Sequence, residues 1–171
     1  MTSSPLHGVA VAVVTVSDRA AAGTRADATG PVLADACTTA GATVTTAVVP
    51  DAVDAITAAL VDAVSGGARV VITTGGTGLG PRDVTPEATA PLLGRLLPGI
   101  PELLRQRDAG RTPLVALSRG IAGVIEAGTP SSRPSLVVNL PGSPAAVASA
   151  CEVLPTVLAH ALAQLDGGDH A

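Results

Sequence analysis

The chain has 171 residues, 47% of them apolar, a formal net charge of −4, ten cations that are all Arg, and no Phe, Tyr or Trp. That length suits one domain, which buries roughly 70% of its unfolded surface, and its core has to be built from Ala, Val, Leu and Ile. Without aromatic rings there is no stacking platform for single-stranded nucleic acid, and scattered Arg on an acidic chain leave no nucleic-acid footprint. Without Lys there is neither a Walker A phosphate loop nor a Schiff base.

Val9 to Val16 is a β-branched run ending in Ser17-Asp18-Arg19, which predicts a buried parallel strand and then a loop through Gly23 to Asp27. Thr29-Gly30-Pro31 opens a helix with Val32, Leu33, Ala36, Cys37 and Ala40 on one stripe and Gly41 as its stop. Thr43 to Val49 reads as a second strand closed by Pro50-Asp51, and Val53, Ile56, Leu60 and Val64 mark the next helix. Arg69 to Thr74 is a third strand running straight into Gly75-Gly76-Thr77-Gly78-Leu79-Gly80-Pro81-Arg82-Asp83.

Thr85 as N-cap, Pro86 at the first helical position and Glu87 behind it predict a helix to about Leu93. Short helices follow around Ile100–Arg107 and Pro113–Leu117, then strands at Gly120–Ala127 and Leu136–Leu140, the latter leading into Pro141-Gly142-Ser143-Pro144. A last helix carries Val147, Cys151, Leu154, Leu158, Leu162 and Leu165, with Pro155 predicting a kink and the tail from Asp166 frayed. Strands alternating with helices predict a three-layer αβα sandwich with a mostly parallel sheet, one domain over residues 1–171 with its core at about 8–165.

Cys37 and Cys151 lie in helical segments and read as free thiols rather than a disulfide. The three His, at positions 7, 160 and 170, form no ligand cluster and no triad with a Ser. No apolar run reaches the roughly 18 residues of a membrane span, and no basic leader opens the chain, so a soluble cytoplasmic protein without membrane contact is expected.

Three unusual loops follow predicted strands, at 17–19, 75–83 and 141–144, on the edge where open α/β sheets bind ligands. In the longest of them, Gly75, Gly76, Gly78 and Gly80 allow positive φ and a nest of N–H groups for an anion. Asp83 beside Arg82 supplies a carboxylate able to hold Mg²⁺ against phosphate oxygens; the competing reading is a tight turn with a solvated pair. Asp51 is either a second metal-side carboxylate or a helix cap, and Ser17-Asp18-Arg19 either contacts a polar heterocycle or forms an Asx-type turn. The Ser143 turn and Ser118-Arg119-Gly120 offer hydroxyls and a cation to phosphate, or serve as ordinary connections.

Thr15-Val16-Ser17-Asp18-Arg19, Asp27 with Gly30-Pro31, Thr73-Thr74-Gly75-Gly76-Thr77-Gly78, Arg82-Asp83-Val84-Thr85-Pro86-Glu87-Ala88-Thr89 and Leu140-Pro141-Gly142-Ser143-Pro144 occur in this order. Together they resemble the molybdopterin-binding domain of the Mog/MoaB family, which is also the G domain of gephyrin. The resemblance implies a homotrimeric, cytoplasmic enzyme of molybdenum-cofactor biosynthesis that uses Mg²⁺ and ATP to adenylylate molybdopterin on its terminal phosphate, releasing pyrophosphate. Its alternative is a MoaB-like molybdopterin binder without catalysis; a nucleotide hydrolase borrowing the domain is a weaker third. Carried over by position, Asp83 and Asp51 are the catalytic and Mg²⁺-holding carboxylates. Gly75, Gly76, Thr77, Gly78, Arg82, Pro141, Gly142 and Ser143 line the nucleotide and pterin-phosphate pocket, with Ser17 and Asp18 on the pterin side and Ser118 on phosphate. Contact with a molybdate-insertion enzyme is a further implied partnership.

Overall fold

The computed structural model describes residues 4–128 and 133–168; His170 lies outside them. Strands β1 (Ala10–Val16), β2 (Thr43–Val49), β3 (Val70–Thr74), β4 (Arg95–Leu96), β5 (Ala122–Ile125) and β6 (Ser135–Leu140) form one sheet in the order β2-β1-β3-β6-β5-β4. The first four in that order are mutually parallel, whereas β5 runs antiparallel to both of its neighbours. The helices are α1 (Asp18–Ala21), α2 (Gly30–Thr39), α3 (Val53–Ser65), α4 (Thr85–Thr89), α5 (Gly99–Ala109), α6 (Pro144–Cys151) and α7 (Leu154–Leu165).

Side chains alternate across the sheet and build two cores. Val11, Val13, Val70, Ile72, Leu136 and Val138 pack on Leu33 and Cys37 of α2, Ile100 of α5, Val147 of α6 and Leu158 of α7. On the other face Ala12, Val14, Val71 and Val137 meet Ile56 and Leu60 of α3 and Ala88 of α4. Because β1, β3 and β6 are covered on both faces, they read as unbroken apolar runs. The Thr-rich β2 is an edge strand, largely exposed. The three-layer αβα arrangement is therefore present.

Several elements differ from the sequence reading for local reasons. The segment after Ser17 starts with the four-residue α1, capped by the Ser17 hydroxyl, which accepts from Ala20 N at 3.3 Å. The helix from Thr85 stops at Thr89 and continues as a 3₁₀ turn over Ala90–Leu92, because Pro91 has no N–H for the α-helical ladder. Residues 113–117 are also 3₁₀, and β4, only two residues long, left no pattern to read. The last helix is broken by 55° between α6 and α7, with Pro155 in the first turn of α7, where its missing N–H costs nothing. Asp166 is tied down by Arg69 at 2.9 Å rather than frayed. Both cysteines are free, and burial followed by the neighbouring Cys151 pushes the Cys37 thiol up to about 11, making it inert. No single helix among the described residues is long and apolar enough to cross a membrane.

Helix α2 is capped from a distance. Thr29 makes no side-chain cap bond; instead the Asp27 carboxylate accepts from Thr29 N at 3.0 Å, Gly30 N at 2.9 Å and the Thr15 hydroxyl at 2.6 Å. Burial pushes the Asp27 carboxyl upward, but these donors outweigh it and hold it below the usual carboxylate range. A depressed folded-state value means the stabilisation is complete above the ordinary Asp value of about 3.9 and disappears as pH falls through the folded one. Asp27→Ala is expected to cost about 1 kcal/mol at neutral pH, as for loss of a cap. Thermal melts of both proteins, repeated down to pH 3, should show that difference shrinking with acidification; a constant difference would contradict the assignment.

Candidate active site

Four parallel strands end almost level. Val16 pairs with Val49, Thr15 with Thr74, and Thr74 with Leu140, so their following loops emerge side by side. The chain passes from β1 to β2 on one side and then to β3 on the other, which opens a crevice beyond the β1 and β3 ends.

The glycine loop sits there under tight constraint. Gly75 and Gly76 have φ of +104° and +64°. Gly75 N donates to Leu140 O at 3.0 Å, and a Cβ on Gly142 would lie 3.1 Å from Gly75 Cα, so the turns after β3 and β6 touch backbone to backbone. Thr85, expected to cap α4, is fully buried as its first residue and donates its hydroxyl to Gly75 O at 2.9 Å. Its side chain pins the glycine turn and is thereby lost to the helix. Gly78 and Gly80 wrap Asp83, whose Oδ2 accepts from Gly80 N at 2.8 Å.

Arg119, which reads in the sequence as an unremarkable loop cation, staples this loop. Its backbone N donates to Thr77 O at 2.9 Å, its Nε to Gly78 O at 2.7 Å and a terminal nitrogen to Asp83 O at 2.6 Å. The same guanidinium pairs with Glu87 and holds that carboxyl below its usual range. Only a planar fork reaches all three groups. Arg119→Lys is expected to speed amide exchange within Gly78–Asp83 by roughly tenfold, about the worth of one net hydrogen bond. Unchanged exchange there would remove Arg119 from its positioning role.

At the rim, Asp18 and Asp51 clip the ends of β1 and β2 reciprocally. Asp18 N donates to Asp51 Oδ2 at 2.7 Å, and Asp51 N donates to Asp18 Oδ1 at 3.0 Å. Arg82 forks onto Asp18, Nε to Oδ2 at 3.0 Å and a terminal nitrogen to Oδ1 at 2.7 Å. This guanidinium, with the Asp51 N–H second, holds the Asp18 carboxyl below its usual range. Asp51 does not cap α3: Ala52 occupies that position without a side-chain bond. Its Oδ1 points to the glycine loop, 3.4 Å from where a Gly76 Cβ would be.

The candidate residues thus fall into three places. Gly76, Thr77, Gly78, Asp83, Ser118, Pro141, Gly142 and Ser143 line a cavity of about 430 Å³. Leu104 of α5 and Leu114, Val115 and Leu117 of the 3₁₀ turn add aliphatic surface to the lining, alongside Arg105, Asp108 and Thr112. Ser17 and Gly75 line a smaller recess of about 170 Å³ with Arg19, Arg25 and Asp27, separated from the first by the Gly75–Gly142 contact. Asp18, Asp51 and Arg82 form the rim cluster. Ser143 is also the N-cap of α6, its Oγ accepting from Ala146 N at 3.3 Å.

One buried polar residue escaped the sequence reading. Asn139, on β6, donates to Thr73 Oγ1 at 2.9 Å and Thr89 Oγ1 at 3.1 Å, joining β6, β3 and α4 behind the cavity it also lines. A lone amide inside the apolar run Leu136–Leu140 was the available signal. Among the described residues no group of three or more His, Cys, Asp or Glu gathers as a metal cluster. What the site can offer is a glycine backbone, two oxygens of separate carboxylates and hydroxyls, beside an aliphatic slot. That combination suits a phosphorylated ligand bearing a planar apolar part.

Comparison with known proteins shows what the chain is similar to. A family described as "Probable molybdopterin binding domain" matches residues 12–160. The chain is 43% identical over 166 residues to a molybdenum cofactor biosynthesis bifunctional protein of Synechococcus elongatus, covering 96% of this chain and 50% of that protein. It is 36% identical over 151 residues to a molybdopterin adenylyltransferase of Pyrococcus furiosus, covering 88% and 87%. It superposes on the tungsten cofactor synthesizing protein MoaB from Pyrococcus furiosus with a TM-score of 0.85 at 32% identity, covering 92% of this chain and 97% of the other. The chain spans about half the length of the bifunctional relatives it matches.

Proposed function

The chain belongs to the family of molybdopterin-binding domains, and from that premise we propose that it is a molybdopterin adenylyltransferase of molybdenum-cofactor biosynthesis. The observation that carries this reading is the pair Asp51 and Asp83 beside the Gly76–Gly78 backbone. Each carboxylate has one oxygen held by a backbone N–H, from Asp18 and Gly80 respectively, and a second oxygen without such a bond among the described residues. Hard oxygen donors of this kind, one or two carboxylates completed by substrate phosphates and water, are what Mg²⁺ takes. Asp51 and Asp83 would hold it. The ion, when bound, neutralises charge on the nucleotide phosphates.

In the proposed reaction an oxygen of the pterin's terminal phosphate bonds to the α-phosphorus of ATP. The bond from that phosphorus to the bridging β-oxygen breaks, and pyrophosphate leaves. Such an in-line transfer needs alignment and charge neutralisation, with no protein nucleophile. The N–H groups of Gly76 to Gly78 and the turn Pro141-Gly142-Ser143 align phosphates, Ser118 adds a hydroxyl, and Ser17 and Asp18 serve the pterin side. Arg82 contributes by exchanging its exposed Asp18 partner for a phosphate. Assembly as a cytoplasmic homotrimer that passes adenylylated pterin to a molybdate-insertion enzyme belongs to the same proposal, and sedimentation of the purified chain tests the trimer.

The deciding assay mixes purified protein with Mg-ATP and molybdopterin and follows adenylylated pterin and pyrophosphate. Formation of both in equal amounts is the expected result. Pterin binding without Mg²⁺-dependent ATP affinity would instead mark a binder without catalysis, and ATP hydrolysis independent of pterin a hydrolase.

A further inference from the structure

One face of α5 lines the cavity with Pro101, Leu104, Arg105 and Asp108, the i, i+3, i+4, i+7 spacing of an inward-facing stripe. Such a stripe is ordinarily apolar, yet this one holds a guanidinium. Arg105 is half-buried, and its one side-chain hydrogen bond among the described residues runs from a terminal nitrogen to Ser118 O at 3.4 Å. Seven of the ten Arg pair with a carboxylate. The three without such a partner among the described residues all face a pocket, Arg105 on the cavity and Arg19 and Arg25 on the smaller recess.

Charge balance across the cavity depends on Arg105. The ionisable side chains in the lining are Asp83, Arg105 and Asp108, so without Arg105 a phosphate would meet carboxylates alone. The other guanidiniums near the glycine loop are committed elsewhere, Arg119 to Gly78 O, Asp83 O and Glu87, and Arg82 to Asp18 on the rim. A guanidinium carries five N–H donors in a planar fork that matches phosphate geometry. Arg105 uses one of them, in a long bond to a neutral carbonyl. Replacing that bond by shorter, charge-assisted ones to a phosphate disturbs no ion pair of the protein.

Building on the adenylyltransferase reading, we propose that Arg105 is a phosphate-binding residue of the cavity, the cation that takes a phosphate group of the bound substrate. Both proposed substrates carry phosphate, the nucleotide and the pterin, and the experiment separates the two sources. Binding is measured for AMP against adenosine, and for 6-hydroxymethylpterin phosphate against 6-hydroxymethylpterin. Pterin fluorescence is convenient because the protein has no aromatic residues. Arg105→Met removes the charge and keeps an unbranched side chain. Arg105→Gln also removes the charge but retains an N–H able to donate to Ser118 O.

The wild type is expected to prefer the phosphorylated member of each pair. Arg105→Met should weaken the phosphorylated member of at least one pair by roughly tenfold, the worth of one hydrogen bond to a charged group, and leave its phosphate-free counterpart unchanged. Arg105→Gln should show the same loss. The pair affected identifies which phosphate Arg105 meets. Equal weakening of both members, no weakening in either pair, or recovery of affinity in the Gln variant would reduce Arg105 to a tether for Ser118 or to a bystander, and would overturn this role while leaving the adenylyltransferase reading standing. A wild-type protein that prefers neither phosphorylated ligand would overturn that reading and this assignment together.

Discussion

Asp83→Asn is expected to lower kcat by roughly 10²- to 10³-fold, the usual effect of removing one preorganised electrostatic contact from a reacting phosphate. The change is chosen because it separates charge from shape. The amide oxygen of Asn can still accept from Gly80 N, now 2.8 Å from Asp83 Oδ2, so the loop around Gly78 and Gly80 keeps its course. Arg119 also keeps its grip, since it binds the main-chain carbonyl of residue 83 at 2.6 Å and not the side chain. What disappears is a negative oxygen able to face a cation. Molybdopterin affinity should therefore stay close to wild type while the chemical step fails. Single-turnover formation of adenylylated pterin, compared with equilibrium pterin binding, checks both halves. Undiminished turnover would remove Asp83 from the reaction, and parallel loss of binding and turnover would make it structural.

Gly75→Ala carries the largest expected loss of stability, roughly 3 kcal/mol or more. A residue with a side chain held at positive φ costs about 1 to 3 kcal/mol, and overpacking adds a similar amount. Gly75 incurs both, because φ is +104° and a Cβ there would overlap the carbonyl oxygen of Val16. The obstacle is backbone of a central strand, which cannot rotate aside. For a chain of this size the midpoint of thermal unfolding should fall by about 10 °C. Gly23→Ala is the internal control: its φ is +70°, but nothing lies within 4 Å of the added carbon. It should show the backbone cost alone, about 1 kcal/mol. Equal losses at the two positions would mean that the contact with Val16 contributes nothing.

The two glycines also mark how far the sequence could be read. Four glycines in a short loop after a valine-rich strand announce a backbone that must approach something closely, and the loop does so. They do not say what is approached. Gly75 is pressed on Val16 and on Gly142, so two of its contacts hold loops together, and only Gly76 to Gly78 face the larger cavity. Thr85 is a similar case. Thr-Pro-Glu is the local pattern of a capped helix start, but the hydroxyl is drawn to Gly75 O because an orphaned carbonyl buried in the loop is costlier than an uncapped short helix. Arg119 was opaque for the opposite reason. It is an ordinary charged residue by composition, and its part comes from groups 36 to 41 positions away.

The order of the elements apart from α1 and β4, the three layers, the break near Pro155 and the run of motifs from Ser17 to Ser143 were determined by the sequence alone. Side-chain periodicity and the covalent restrictions of Gly and Pro act over a few residues and need no partner from elsewhere. The tertiary structure alone decided which loops meet. The level ends of β1, β2, β3 and β6 bring Asp51 and Asp83 to the same glycine backbone. They also bring Arg82 onto Asp18, across 64 residues of chain, and split the predicted site into a cavity, a recess and a rim. Those contacts depend on strand order and register, long-range properties that no local pattern encodes.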